Sequence, residues 1–196
     1  MTPPDGIWLY WLPLGAGGHL VRFNGLVYEA VAARLERRAP QPLLHSALEV
    51  RLAGERWMVE MTPVWGNTGA DRGVVVEGPV GARTLGRSRL FRYEVRRWRG
   101  GTIGDVSEAV GGARTLSADA GVARVLLGLV PLVPAVTWGR DELRTGEMWN
   151  SNSLVSWLLA RSGHDLTAVR APGRAPGWRA GMVVAARSAA GRSERS

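Results

Sequence analysis

The chain has no cysteine and no lysine. Without thiols there can be no disulfide, no thiolate metal site and no cysteine nucleophile, and neither redox compartment is favoured. Without lysine all 25 basic residues are arginine; with abundant Ala, Gly and Val this reflects base composition, so the formal +8 charge says little about a partner. A long apolar run is also missing. The most lipid-like stretch, "VARVLLGLVPLVPAV" at 122–136, contains Arg124, Pro131 and Pro134 and falls short of the roughly 20 apolar residues a spanning helix needs. "MTPPDGIWLYWLPLGAGG" lacks a basic n-region and is interrupted by Pro13, so a cytoplasmic protein is expected. Three scattered histidines, His19, His45 and His164, show no HExxH spacing, so neither a metal site nor a cofactor is expected. His19 reads as a loop residue and His164 as a helix-end cation.

At 196 residues and 45% hydrophobic content the chain suffices for one core. A single domain over 1–187 is expected, followed by a disordered tail, "SAAGRSERS" at 188–196. "GIWLYWLPL" is an opening strand, "GAGGH" a loop, and "FNGLVYEAVAARLERRAP" a helix on the spacing of Leu26, Val27, Ala30, Val31 and Leu35. "LLHSALEVRL" and "RWMVEMTPVW" form a hairpin. "RGVVVEGPVG" and "SRLFRYEVRRW" are strand-like, Ser117 caps a helix over 118 to about 129, and "GWRAGMVVAAR" is a short helix or strand. The order predicts an α+β fold, an antiparallel sheet packed against helices.

If Ala53 and Gly54 make a two-residue turn, opposed residues sum to 107. His45 then faces Thr62 and Ala47 faces Glu60; His45, Glu60 and Thr62 share one face, while Ser46, Leu48, Val50, Trp57, Val59 and Met61 form the apolar one. The charge is equally local: "RTLGRSRLFRYEVRRWR" at 83–99 sets seven arginines against the single Glu94, which predicts a solvated strand face and a positive surface.

In "MWNSNSLVSWLLARSG" at 148–163, Leu154, Val155, Leu158 and Leu159 share a helical face and Gly163 supplies the stop. Four small polar residues, Asn150 to Ser153, precede that run. One cap would suffice. A hydroxyl at the positive end of a helix, beside free backbone N–H donors, is placed as a nucleophile with an oxyanion site. Serine needs a base, and the base an orienting group; His45 with Glu60 or Thr62 offers those roles to Ser151. GxSxG is absent, so the α/β-hydrolase elbow is not available.

"HSALEV" leading through a hairpin into "MVEMTP", and much later "NSNSLVSWLL" opening a helix, resembles the order in circularly permuted papain-like folds. The desumoylating isopeptidases, lecithin retinol acyltransferase relatives and NlpC-type peptidases are examples. The resemblance covers roughly residues 7–162 in element order and rests on two short motifs. It implies a permuted papain-like fold in which His45 is the base, Ser151 stands at the cysteine position, and Asn150 and Asn152 occupy the flanking asparagines. A hydroxyl cannot be stored ionised as a thiolate can, so either Glu60 makes His45 a better base or the site is idle.

Three readings follow. The first is a hydrolase or transferase acting on an amide, isopeptide or acyl ester, with Ser151, His45 and Glu60 catalytic and Asn150, Asn152, Thr62 and Trp149 contacting a peptide, protein or acyl substrate. The second is a pseudoenzyme binding a peptide or acyl chain without turnover. The third, ranked well below, is nucleic-acid binding through 83–99, where Phe91 and Trp98 would stack on bases.

Overall fold

The computed structural model describes residues 4–14, 34, 37, 39–64, 72–103 and 106–193. The Gly-rich loop with His19, and the body of the helix expected over 23–40, lie outside them. Six strands form one antiparallel sheet: β1 (Gly6–Pro13), β2 (Leu44–Leu52), β3 (Glu55–Pro63), β4 (Val74–Pro79), β5 (Arg92–Arg99) and β6 (Arg114–Ser117), in spatial order β4-β5-β3-β2-β1-β6. The helices are α1 (Ala120–Leu129), α2 (Ser151–Arg161) and α3 (Trp178–Ser193). The α+β architecture matches the order read from sequence. No helix among the described residues is long and apolar enough to cross a membrane.

The β2–β3 hairpin has the expected register, with Leu48 opposite Val59 and Val50 opposite Trp57. Its turn residues Ala53 and Gly54 both have positive φ, 53° and 79°, the backbone that continues the twist of two flanking strands. The ladder stops at Leu48 and Val59. Beyond that point His45 pairs with Leu12 of β1, and Glu60 and Thr62 pair with Arg96 and Glu94 of β5. The expected pairings of His45 with Thr62 and Ala47 with Glu60 do not form: past Leu48 and Val59 the two strands separate, each keeping only its outer neighbour.

The main core lies between one sheet face and the helices. Ile7, Leu9, Trp11, Leu48, Val50, Val59, Met61, Tyr93 and Val95 meet Leu126 of α1, Leu154, Val155, Leu158 and Leu159 of α2, and Val184 of α3. Every residue of α2 from Ser151 to Leu159 is buried, so this helix is enclosed all round rather than amphipathic. α3 approaches it closely: a Cβ on Gly181 would stand 2.1 Å from the Ser153 carbonyl oxygen and the Ser156 hydroxyl. A smaller cluster, Leu12, Ala47, Met58 and Ile103, occupies the other face.

Three local expectations change. Asp119, not Ser117, caps α1, its carboxylate accepting from Gly121 and Val122. Residues 83–91 form two 3-10 turns before β5 begins, since their backbone bonds are satisfied three residues apart. α3 continues through Ser193, into the segment read as a disordered tail.

Candidate functional site

The polar quartet is a joint between helix, sheet and chain end. Asn150 is the N-cap of α2: its Oδ1 accepts from the backbone N–H of Asn152 at 2.9 Å and of Ser153 at 3.2 Å. Ser153 completes a capping box by accepting from the Asn150 N–H at 3.1 Å, so the first-turn amides are satisfied from both sides. The Ser153 hydroxyl in turn donates to the Gly177 carbonyl at 2.8 Å, with the Met148 carbonyl at 3.1 Å. Gly177 has φ +85°, and a Cβ there would fall 2.5 Å from Asn150 Oδ1; only glycine lets the chain pass so near the cap.

Asn152 reaches the sheet. Its Nδ2 donates to the Leu44 and Pro176 carbonyls, both at 2.9 Å, and its Oδ1 accepts from the Ser46 hydroxyl at 2.9 Å. The Asn150 amide also donates to Pro176. β2 and the start of α2 are thus brought together across more than a hundred residues of sequence, through Ser46. His45 follows the strand alternation: Ser46 opens onto the helices, whereas His45 lies opposite Leu12, a member of the cluster on the far face.

Ser151, the first residue of α2, is 5% exposed, and its hydroxyl has no hydrogen bond among the described residues. The amides expected to be free for an oxyanion are not: those of Asn152 and Ser153 are held by the Asn150 side chain. Glu60 accepts from Arg96 at 3.0 Å, on the face of the sheet that His45 shares and on the far side of the β2–β3 divergence. Thr62 is part-buried beside β5. Trp149, read as a substrate contact, is 2% exposed within the main core.

Burial lowers the His45 pKa to about 4, so at neutral pH the ring is uncharged. His164 is not the helix-end cation expected: burial lowers its pKa, and its Nδ1 lies 3.0 Å from the Ser162 hydroxyl. Among the described residues no group of three or more His, Cys, Asp or Glu side chains could hold a metal ion.

Beside the cap lies a cleft of about 470 Å³ lined by Arg140, Asp141, Glu147, Met148, Arg174, Pro176 and the glycines Gly139, Gly146 and Gly177. Much of its wall is the loop "GRDELRTGE" at 139–147. Asp141 holds that loop by accepting from the backbone of Thr145 at 2.7 Å and of Gly146 at 2.9 Å, and these N–H donors, Thr145 first, keep its carboxyl below the usual range. Glu142 is paired with Arg83 and accepts from Thr137; Arg83 first, then Thr137, lowers its pKa to about 2. The signal for this loop was an Asp followed by Thr at four residues and Gly at five, a local capping pattern.

Most of the arginine run is paired within the chain, Arg96 in the interior and the others nearer the surface. Arg83, Arg92, Arg96 and Arg99 pair with Glu142, Glu77, Glu94 and Glu60, and Glu55, and Arg97 donates to the Leu127 carbonyl. Glu94 and Arg96, expected on a solvated face, are 0% and 4% exposed. Arg72 adds two bonds to Glu94, at 3.1 and 3.2 Å. No family model, curated protein or solved structure matches the chain.

Proposed function

We propose that this chain is a non-catalytic peptide-binding module, built on the permuted papain-like plan, whose ligand enters the polar cleft beside the start of α2. One observation carries the reading: the side chain that meets the helix start from β2 is Ser46, while His45 opens onto the opposite face of the sheet. A serine without a base, and with the neighbouring amides already bonded, has neither the proton acceptor nor the oxyanion donors that acyl transfer requires. The helix start is then a structural joint, and the open space next to it is left for recognition.

The cleft's chemistry selects the ligand class. Three glycines present backbone without side chains, and charges of both signs stand around them, with only Met148 and Pro176 apolar. An acyl chain would find little apolar wall there. An extended peptide can exchange main-chain hydrogen bonds with such a lining and place polar side chains against Arg140 and Glu147.

The test pairs labelling with retention. The purified chain should give no fluorophosphonate adduct at Ser151, and should retain members of a random short-peptide pool equally well as Ser151→Ala. The double variant Arg140→Gln, Glu147→Gln should weaken retention about tenfold or more, since hydrogen bonds to charged groups contribute about 1.5–3 kcal/mol each. A Ser151 adduct that disappears in His45→Ala would overturn the reading in favour of a serine hydrolase. Retention unchanged in the double variant would remove the cleft as the site.

A further inference from the structure

The segment from Arg83 to Phe91 is a knob of two 3-10 turns with no buried residue. Three large apolar side chains stand on it in the open: Leu90 is 66% exposed, and Leu85 and Phe91 are each 42% exposed. The arginines around them differ from those of β5. Arg83 is tied to Glu142 and Arg92 to Glu77, but Arg87 and Arg89, both exposed, have no acidic partner among the described residues. No Asp or Glu occurs between Glu77 and Glu94. The exposed part of the basic run that no acidic side chain pairs therefore coincides with its exposed leucines and phenylalanine.

We propose that this knob is a docking surface for an anionic lipid bilayer, with Leu85, Leu90 and Phe91 entering the headgroup boundary and Arg87 and Arg89 meeting lipid phosphates. An apolar tip ringed by unpaired cations is the composition of an interfacial anchor, in which buried apolar area and attraction to anionic headgroups add. The knob's backbone suits that role. Leu85, Ser88 and Phe91 donate back to Ala82, Leu85 and Ser88, and the Ser88 hydroxyl accepts from Leu90, so little unpaired main chain would be carried into a poorly hydrated layer.

Its footing is firm. A Cβ at Gly86 would meet Pro79 at 2.8 Å, and Arg140 donates to the Gly81 carbonyl at 2.6 Å. The first seats the knob closely on the end of β4, and the second ties its base to the loop that walls the cleft. Nucleic acid fits the same residues less well, because two of the three exposed apolar side chains are aliphatic and offer no face for base stacking.

The experiment is co-sedimentation of the full chain with phosphatidylcholine vesicles, with and without phosphatidylglycerol. The chain should pellet with the phosphatidylglycerol vesicles and not with phosphatidylcholine alone, and added salt should release it. Arg87→Gln with Arg89→Gln should weaken binding roughly 30-fold, from about fivefold for each surface cation. Leu90→Ser with Phe91→Ser should weaken it with the charges intact, whereas Val106→Ser with Val110→Ser, exposed elsewhere, should bind as the parent does. All these positions are exposed, and unchanged circular dichroism checks that the variants fold. Absence of pelleting, equal pelleting with neutral vesicles, or binding that survives both knob variants would overturn the proposal. So would tight binding to single-stranded DNA without vesicle binding.

Discussion

The two faces of the sheet solve the burial of polar groups in opposite ways. Toward the helices, the buried polar groups are neutral amides and hydroxyls, Ser46, Asn150, Asn152 and Ser153, joined to one another and to backbone carbonyls. On the far face they are charged: Glu94 and Arg96 at the centre with Glu60 and Arg72 around them, and Glu49 with Tyr10 and Arg51 nearby. Neutral partners cost less to desolvate, so the helix side can be a dry core with a polar joint at its rim. Ion pairs recover their desolvation only when the pairing is nearly complete, which is why Glu94 has two arginines. The difference suggests that the helix side specifies the fold and the far side balances charge.

The largest effect should come from leaving one ion of the far face alone. Arg96→Met removes the cation between Glu94 and Glu60, and a stability loss of about 3–5 kcal/mol is expected, as for other broken buried pairs. Adding Glu94→Leu should recover part of it, since apolar replacement of both partners is often neutral, although Glu60 and Arg72 each still lose one partner. Denaturant unfolding of the single and double variants checks this, and a double variant as weak as the single would mean that the network holds structure rather than charge.

The neutral joint should lose somewhat less. Asn152→Ala deletes three side-chain hydrogen bonds and strands the Ser46 hydroxyl and the Leu44 carbonyl, while Pro176 keeps its Asn150 donor, at about 1–3 kcal/mol for each group left unpaired and not regained from water. A total near 3 kcal/mol is expected. It should recover less than the ion network does when Ser46→Ala is added, because the Leu44 carbonyl still lacks the Asn152 donor. Equal recovery on both faces would erase the distinction.

Protonation probes the far face itself, which holds His45 along with its charged groups. The His45 pKa falls from the usual 6.5 to about 4, so between those values the unfolded chain takes a proton that the folded chain refuses. Stability must then fall as pH drops through that window and stop responding to this group below about pH 4. His164 acts in the same direction. Melting curves should show the decline shrinking in His45→Gln, the remainder belonging to His164, while loss from Glu142 appears only lower, between its ordinary 4.5 and about 2. A decline unchanged by both histidine variants would show that neither histidine carries it.

How much of this was legible depends on the range of the interaction. The hairpin register and the division of β2 and β3 into two faces follow from a two-residue turn and period-two alternation, and both hold. That same division already put His45 on the face away from Ser46 and Leu48, in tension with pairing it to Ser151 on the core side; the structure keeps the alternation. The divergence beyond Leu48 and Val59 was not readable, because the inner edges of β2 and β3 separate there while each strand stays paired to β1 or β5 along its outer edge. Nor was the burial of Glu94 and Arg96: alternating charge reads as a wet surface until cross-strand partners are known. At the helix start the residues were found, but the free donors assigned to them are taken by Asn150.

Ser151 should give the smallest effect, and for that reason the sharpest contrast within the joint. Its neighbour Ser153 receives the Asn150 N–H and donates to Gly177, so Ser153→Ala should cost about 1–2 kcal/mol, the usual range for a lost cap. The Ser151 hydroxyl makes no such bond among the described residues, and Ala has the better helix propensity at the first helical position. Ser151→Ala should therefore change stability by no more than about 0.5 kcal/mol in either direction, as substitutions away from a named interaction do. Parallel urea titrations of the two variants check the pair. If Ser151→Ala cost as much as Ser153→Ala, its hydroxyl would belong to the joint; if it raised stability well beyond that range, Ser151 would be a residue kept at a cost to the fold, which is how a functional nucleophile behaves.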